Sequence, residues 1–271
     1  MTLALADAAA RNRTRQTRAA TPHREDIDLA VRGLCKAYGD DPHVLDGIDL
    51  QVAHGQSVAI IGSNGTGKST LLRCCLRLVD YSQGSISLFD TPIEALNDAA
   101  LRRMRSRVGF VFQRHNLVLR LSALSNVVQG VQARNAGPRG WLQGLATRPV
   151  REEAMHCLER VGLADIARRR VSHLSGGQSQ RVAIARTLMQ RPRLVFADEP
   201  VASLDPRAGE EVMELFVELM RSEDVTLVFT SHNLRHALAY ASRVVGLRGG
   251  KVALDGPTAQ QNPEMLHGLY A

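Results

Sequence analysis

Residues 62–70 read Gly62-Ser63-Asn64-Gly65-Thr66-Gly67-Lys68-Ser69-Thr70, which fits the pattern G-x-x-x-x-G-K-[ST] of loops that wrap nucleotide phosphates. The glycines let successive backbone N–H groups turn inward into a concave nest for anions, which a Cβ would obstruct. The pattern predicts that Lys68, as an exposed charge, reaches the β- and γ-phosphates and that the Ser69 hydroxyl binds Mg²⁺. We name residues 62–70 the phosphate loop and predict that all of them contact ATP or GTP.

The segments on either side of the phosphate loop are of the kinds that such a loop requires. Residues 57–61 (SVAII) form an apolar run typical of a buried strand, and apolar residues recur at helical spacing from Leu71 to Val79. The order strand, loop, helix is the structural context in which the pattern binds phosphate. The sequence therefore predicts an α/β fold of the P-loop nucleotide-hydrolase class.

Two later segments add candidate chemistry. Residues 174–178 (LSGGQ) precede a helical stretch, and a helix that opens on Ser-Gly-Gly presents free N–H groups and its positive dipole end. This predicts a second phosphate site. Residues 194–199 (LVFADE) form an apolar strand that ends in two carboxylates. Such a pair suits the placement of Mg²⁺ by Asp198 and the activation of water by Glu199.

Four apolar runs end at candidate site residues. The runs 58–61, 108–112, 194–197 and 227–229 lead to Gly62, Gln113, Asp198 and His232, respectively. Because ligands of open α/β sheets bind at the carboxyl ends of the strands, this recurrence predicts one nucleotide pocket. Taken singly, Gln113 is more typical of a turn and His232 of a local hydrogen bond, but their place in the set favours function.

Together these segments resemble the ATP-binding subunits of ABC transporters, over roughly residues 27–260. The resemblance implies a RecA-like core, an N-terminal antiparallel β subdomain and an inserted helical subdomain at about residues 114–190. It leaves residues 1–26 as a disordered tail and residues 261–271 as a C-terminal tail. No internal repeat is visible, so the sequence indicates one such domain rather than a tandem pair.

The resemblance also implies a role for each motif residue. Glu199, His232 and Lys68 are the implied catalytic residues, and Ser69, Gln113 and Asp198 are the implied Mg²⁺ ligands. Tyr38 is expected to stack on adenine, which favours ATP over GTP. The remaining implied ATP contacts, of which the first three act on ATP held by a second copy, are Ser175, Gly176, Gly177, Gln178 and Asp205.

Partners follow from the same resemblance. It implies a head-to-tail dimer of two copies around two ATPs, two transmembrane permease subunits and a periplasmic solute-binding protein. The expected location is the cytoplasmic face of the bacterial inner membrane, with the chain bound peripherally. The sequence has no apolar run of about 18 residues, so we expect no membrane-spanning helix in it. Its four cysteines lack metal-ligand spacing and are predicted to be reduced thiols.

Charge is unevenly distributed along the chain. Residues 101–190 hold sixteen Arg, no Lys and four acidic residues, a balance of +12, whereas the whole chain carries +7. Such a block can bind nucleic acid, but interleaved aromatic residues are few and no nucleic-acid module is recognisable, so we expect no nucleic-acid partner. A basic surface facing a membrane and its permease, or a solvated basic face, both remain open.

The solute is indicated only by finer likenesses. Residues 112–122, the 129–150 segment with Trp141, and residues 198–206 resemble phosphonate-import ATPases, which implies an ATPase that powers phosphonate uptake. Importers of phosphite, other small oxyanions or amino acids share much of this pattern. A soluble ABC ATPase outside transport is the alternative from another class, and the sequence lacks the second ABC domain or the long coiled coil usual there.

Overall fold

The computed structural model of the chain describes residues 27–39, 44–113, 116–134, 144, 146–261 and 266. The predicted N-terminal tail, most of the predicted C-terminal tail and Trp141 lie outside these residues. Within them, no helix is both long enough and apolar enough to cross a lipid bilayer.

Two sheets form the framework. An antiparallel sheet of four strands has the order β2-β1-β4-β5, and a six-stranded sheet has the order β10-β9-β3-β8-β7-β6. The strands are β1 (Ile27–Lys36), β2 (Leu45–Ala53), β3 (Ser57–Ile61), β4 (Gln83–Leu88), β5 (Thr91–Pro92), β6 (Val108–Val111), β7 (Leu194–Ala197), β8 (Thr226–Ser231), β9 (Arg243–Arg248) and β10 (Lys251–Pro257).

The larger sheet contains the four strands that the apolar runs predict, side by side and parallel. Ile61 of β3 pairs with Ser231 of β8, and Ala197 of β7 pairs with Phe229 of β8 and Val111 of β6. Their carboxyl ends therefore meet at one edge of the sheet, which confirms the predicted α/β fold. The hairpin of β9 and β10, which turns at Gly249-Gly250, lies at the other side of this sheet, beside β3.

Helices follow the strands and fill the region between β6 and β7. They are α1 (Lys68–Cys75), α2 (Asp98–Arg105), α3 (Ala123–Val128), α4 (Arg148–Arg160), α5 (Gly176–Met189), α6 (Pro206–Ser222) and α7 (Leu234–Tyr240). Short 3₁₀ turns at Gln129–Ala133, Ala164–Ile166 and Val171–His173 connect α3, α4 and α5. The described residues between β6 and β7 are thus mainly helical.

Alternate residues of the parallel strands enter two apolar clusters. Ile60 and Phe196 pack with α1 and the antiparallel sheet, whereas Ala59 and Val195 pack with α3 to α7. The strands are buried on both faces, which explains why they appear as continuous apolar runs rather than as alternating patterns. Burial on both faces fixes the strand ends, and these ends place the polar residues that follow them.

Candidate active site

The phosphate loop connects the end of β3 to the start of α1 through glycines in conformations that other residues avoid. Gly62, Gly65 and Gly67 have φ angles of +148°, +83° and +93°. A Cβ on Gly62 would lie 2.4 Å from the Leu247 carbonyl oxygen, and one on Gly67 would lie 2.7 Å from the Val44 carbonyl oxygen. The loop therefore keeps its curvature only with glycine at these positions.

Lys68 begins α1 and folds over the loop. Its Nζ donates to the carbonyl oxygens of Gly62 and Ser63 at 2.8 and 2.9 Å. The residue is only 5% exposed, so the expectation of an exposed lysine is wrong, because its side chain folds back onto the carbonyl oxygens of the loop. Burial lowers the pKa of Lys68, and the nearby carboxylates of Glu199 and Asp198 partly oppose this. The positive charge thus lies inside the concave loop, where phosphate oxygens would meet it.

Ser69 and Asp198 join the two main parts of the site. The Ser69 hydroxyl donates to Oδ1 of Asp198 at 2.7 Å, and Oδ2 of Asp198 lies 3.7 Å from an Arg73 guanidinium nitrogen. Asp198 follows β7 and is 4% exposed. A hydroxyl and a carboxylate are the hard oxygen donors that Mg²⁺ accepts, usually together with substrate phosphates rather than in a full protein cage.

The described residues fit that kind of metal binding. Among them, no group of three or more His, Cys, Asp or Glu side chains is placed to hold a metal ion by itself. A metal ion held by Ser69 and Asp198 would therefore need phosphate oxygens or water as further ligands. Ser69 and Asp198 are therefore candidate Mg²⁺ ligands, and their role in metal binding stays a prediction.

Glu199 and His232 form the second pair of the site. Nδ1 of His232 lies 3.4 Å from Oε2 of Glu199, with the histidine side chain 54% exposed and the glutamate side chain 16% exposed. Glu199 has a φ of +46°, in the left-handed region that non-glycine residues rarely adopt. Such backbone strain occurs where the surrounding structure fixes a functional side chain. A carboxylate held beside an imidazole can accept a proton from water at this edge of the sheet.

Thr230 is a site residue that the motifs do not identify. It lies on β8, is fully buried, and donates its hydroxyl proton to Oδ1 of Asp198 at 2.9 Å. Its oxygen accepts the backbone N–H of Glu199 at 2.8 Å. In the sequence, Thr230 is recognisable only as a hydroxyl residue within an apolar strand, two residues before His232. Its contacts with Asp198 and Glu199 follow only from the pairing of β7 with β8.

Gln113 and Tyr38 form no hydrogen bond with these residues in the part of the chain that the structure describes. Gln113 follows β6, the strand beside β7, and lines a cavity together with Asn116, Ser179 and Ser203. The Tyr38 ring is 45% exposed, and Nζ of Lys36 lies 4.5 Å from its centroid. An exposed aromatic ring beyond the end of β1 offers a flat surface for stacking.

The LSGGQ residues build the start of α5. The Ser175 hydroxyl accepts the Gln178 N–H at 3.2 Å, and the Gln178 side chain accepts the Ser175 N–H at 3.0 Å, which is a capping box. Asp205 likewise caps α6 by accepting the Ala208 N–H at 3.0 Å. In the part of the chain that the structure describes, none of these side chains hydrogen-bonds to the phosphate loop. Within one copy, the predicted site residues therefore form two groups. One is the phosphate loop with Asp198, Glu199 and His232, and the other consists of the residues that cap α5 and α6.

Comparisons with known proteins agree with this geometry. The model of the family described as ABC transporter matches residues 45–202. The phosphate-import ATP-binding protein PhnC of Mycolicibacterium smegmatis is 45% identical, with 91% of this chain and 93% of that protein covered. The phosphonates import ATP-binding protein PhnC of Nocardia farcinica is 44% identical, with 91% of each covered. The dimeric ATP-binding cassette MJ0796 bound to ADP and Pi is 31% identical with a TM-score of 0.74, over 85% of this chain and 98% of that one.

Proposed function

Because this chain belongs to the ABC transporter family as an ATP-hydrolysing subunit, we propose that it powers the uptake of phosphonates by a binding-protein-dependent importer. The observation that carries the ATPase chemistry is the hydrogen bond between Ser69 and Asp198, which sets the phosphate loop beside Glu199 and His232. The solute rests on the likeness to import ATPases.

Each residue has a defined task in the proposed reaction, in which ATP and water give ADP and phosphate. The phosphate loop and Lys68 bind the phosphate oxygens, and Tyr38 stacks on adenine. Glu199 accepts a proton from the attacking water, while His232 contacts the γ-phosphate. Mg²⁺, which neutralises developing phosphate charge when bound, would be held by Ser69 and Asp198 with Gln113.

A second copy completes the site in this proposal. The start of α5, a helix of fourteen residues, presents exposed Ser175 and Gly176, and its dipole favours an anion there. Ser175, Gly176 and Gly177 would therefore close on ATP held by the other copy, with Gln178 and Asp205 as further contacts to ATP. The similar cassette MJ0796 is a dimer in its complex with ADP and Pi, which supports pairing of two copies.

The importer requires other chains. We infer two transmembrane permease subunits and a periplasmic solute-binding protein, with this chain bound at the cytoplasmic face of the inner membrane. The names of the import ATP-binding relatives support this assembly. The ABC domain would span residues 27–260, with the helical subdomain at about residues 114–190 between the membrane partners and the nucleotide. Gln113, at the start of that subdomain, would link the two.

The relatives differ in the solute that their names give. The Mycolicibacterium smegmatis protein is named for phosphate and the Nocardia farcinica protein for phosphonates, at 45% and 44% identity. Overall identity therefore does not distinguish these solutes. Proteins of Treponema denticola and Cupriavidus pinatubonensis, at 39% and 42% identity, are also named for phosphonates, which favours this class.

Reconstitution tests the proposal directly. The chain, its permease subunits and its binding protein are placed in liposomes, and ATP hydrolysis is measured with methylphosphonate, phosphate or phosphite. We expect methylphosphonate to stimulate hydrolysis most strongly, with Glu199→Gln as the inactive control. Stimulation by phosphate or phosphite alone would contradict phosphonate as the solute but would leave the assignment as an ATPase unchanged. Failure of the chain to associate with any permease would favour an ABC ATPase outside transport.

A further inference from the structure

We propose that Thr230 is a positioning residue of the ATPase site, whose hydroxyl fixes the orientation of both carboxylates, Asp198 and Glu199. The inference rests on the proposed ATP hydrolysis but not on the identity of the transported solute. Thr230 lies outside the motifs that assign roles to its neighbours. Three sets of contacts lead to this role.

The first set concerns Asp198. Oδ1 of Asp198 accepts two hydroxyl hydrogen bonds, from Ser69 at 2.7 Å and from Thr230 at 2.9 Å. The two donors approach from α1 and β8, on different elements, so the carboxylate cannot rotate without breaking at least one bond. In a buried site such charge-assisted bonds are strong. Thr230 therefore keeps Asp198 in the orientation that lets Ser69 and Asp198 act on one metal ion.

The second set concerns Glu199. Its backbone N–H donates to the Thr230 oxygen at 2.8 Å, and its φ of +46° is unfavourable for a glutamate. A peptide in this conformation persists only if its surroundings hold it. The Thr230 oxygen satisfies the N–H at that residue. This bond therefore fixes the direction in which the Glu199 side chain leaves the backbone.

The third set concerns the register of the sheet. Ile60, the penultimate residue of β3, pairs with Thr230, and Ala197, the last residue of β7, pairs with Phe229, so Thr230 lies near the carboxyl ends of both strands. His232 follows two residues later, and its Nδ1 lies 3.4 Å from Oε2 of Glu199. A single hydroxyl thus bonds to the side chain of one carboxylate residue and to the backbone of the next. The hydroxyl touches neither substrate nor water in this role, and it acts through Asp198 and Glu199.

A buried hydroxyl that only stabilises the fold would also be hydrogen-bonded, so the test must distinguish a positioning role from a purely structural one. Thr230→Ser and Thr230→Ala both remove the methyl group and differ only in the hydroxyl. Thr230→Val removes the hydroxyl and keeps the volume. Thr187→Val is the matched control, because the Thr187 hydroxyl is also buried but donates to the Ala183 carbonyl oxygen of its own helix, α5.

The variants are measured in the reconstituted transporter as kcat, KM for ATP and the Mg²⁺ concentration that gives half-maximal rate. We expect Thr230→Ala and Thr230→Val to lose about 10- to 100-fold in kcat, with KM for ATP changed about twofold or less. The half-maximal Mg²⁺ concentration should rise in both. Thr230→Ser should retain kcat within about threefold, and Thr187→Val should behave like the native chain.

Equal rates for Thr230→Ser and Thr230→Ala would overturn the proposal, as would a loss in which KM rises as much as kcat falls. If Thr230→Val does not fold, the comparison of Ser with Ala still isolates the hydroxyl. Absence of ATP hydrolysis in the native chain would instead contradict the proposed ATPase function. The two failures are therefore distinguishable.

Discussion

Ser69 and Asp198 are 129 residues apart in the chain and share a hydrogen bond of 2.7 Å. Ser69 stands in the first turn of α1, and Asp198 directly follows β7. The strands that lead to them, β3 and β7, are both paired with β8. The sheet itself therefore determines how far apart these side chains lie. Only the folded chain forms this contact, and it connects phosphate binding to the two carboxylates.

Lys68→Ala should abolish ATP hydrolysis, with a loss of about 100-fold or more, because it removes the positive charge inside the phosphate loop. The domain should stay folded, since water can replace Nζ at the Ser63 carbonyl oxygen on the partly exposed side. Hydrolysis by the reconstituted transporter and thermal unfolding by circular dichroism measure the two effects. Lys251→Ala is the matched control, because Lys251 is an exposed lysine paired with Asp46. A native rate in Lys68→Ala would contradict the assignment of the loop.

Glu153 should make the stability of the chain depend on pH. Burial alone would raise the pKa of Glu153, but the hydrogen bonds from Arg134 and Arg191 outweigh it and lower the pKa below the ordinary value of 4.5. The folded state then binds fewer protons than the unfolded state. This stabilisation is present above the unfolded pKa and is lost as the pH falls through the folded one.

We therefore expect Glu153→Gln to lower the melting temperature near pH 7, and the difference from the native chain to shrink at about pH 4. Circular dichroism at both pH values measures it. Glu152→Gln provides the control, because Glu152 forms an exposed pair with Arg148 on the same helix, and such pairs contribute little. A difference for Glu153→Gln that stays constant or grows towards acid would show that the arginine contacts do not stabilise the carboxylate.

The four cysteines should differ sharply in reactivity. Burial raises the pKa of Cys74 and of Cys157 to about 11 and raises that of Cys75 further, so these thiols stay protonated at neutral pH. All four are free in the structure, and of these Cys35 alone is not fully buried. Maleimide labelling followed by mass spectrometry should modify Cys35 in the native chain and all four in the unfolded chain. Rapid labelling of the folded Cys35→Ser variant would show that one of the three buried thiols is accessible.

The sequence predicts the strand ends well because of burial. Strands covered on both faces are continuous apolar runs, and each run stops where a polar residue reaches the edge of the sheet. Gly62, Asp198 and His232 could be placed in this way from the order of residues alone. The phosphate loop could be placed as well, since its glycines are required by local backbone conformation.

Two features could not be predicted in the same way. The contacts of Thr230 depend on the pairing of β7 with β8, a tertiary relationship that no local pattern encodes. The burial of Lys68 depends on how its side chain packs against the loop and the carboxylates beyond it. The residues at the start of α5 and Asp205 show a further limit of prediction from sequence. The structure of one copy shows that they cap helices, whereas their action on ATP in a second copy stays a prediction.

Glu199→Gln should trap the chain as an ATP-bound dimer. Glutamine keeps the size of Glu199 and its backbone bond to Thr230, but its amide cannot accept the proton of the attacking water, so hydrolysis should fall by about 10²- to 10⁴-fold. If ATP joins two copies and hydrolysis separates them, the variant stays joined. Size-exclusion chromatography with ATP and Mg²⁺ should then show the variant as a dimer and the native chain mostly as a monomer. Adding Lys68→Ala should return the variant to the monomer, because the phosphates are no longer held. Hydrolysis by Glu199→Gln at the native rate would place the proton acceptor elsewhere, and His232, 3.4 Å away, would be the first residue to replace.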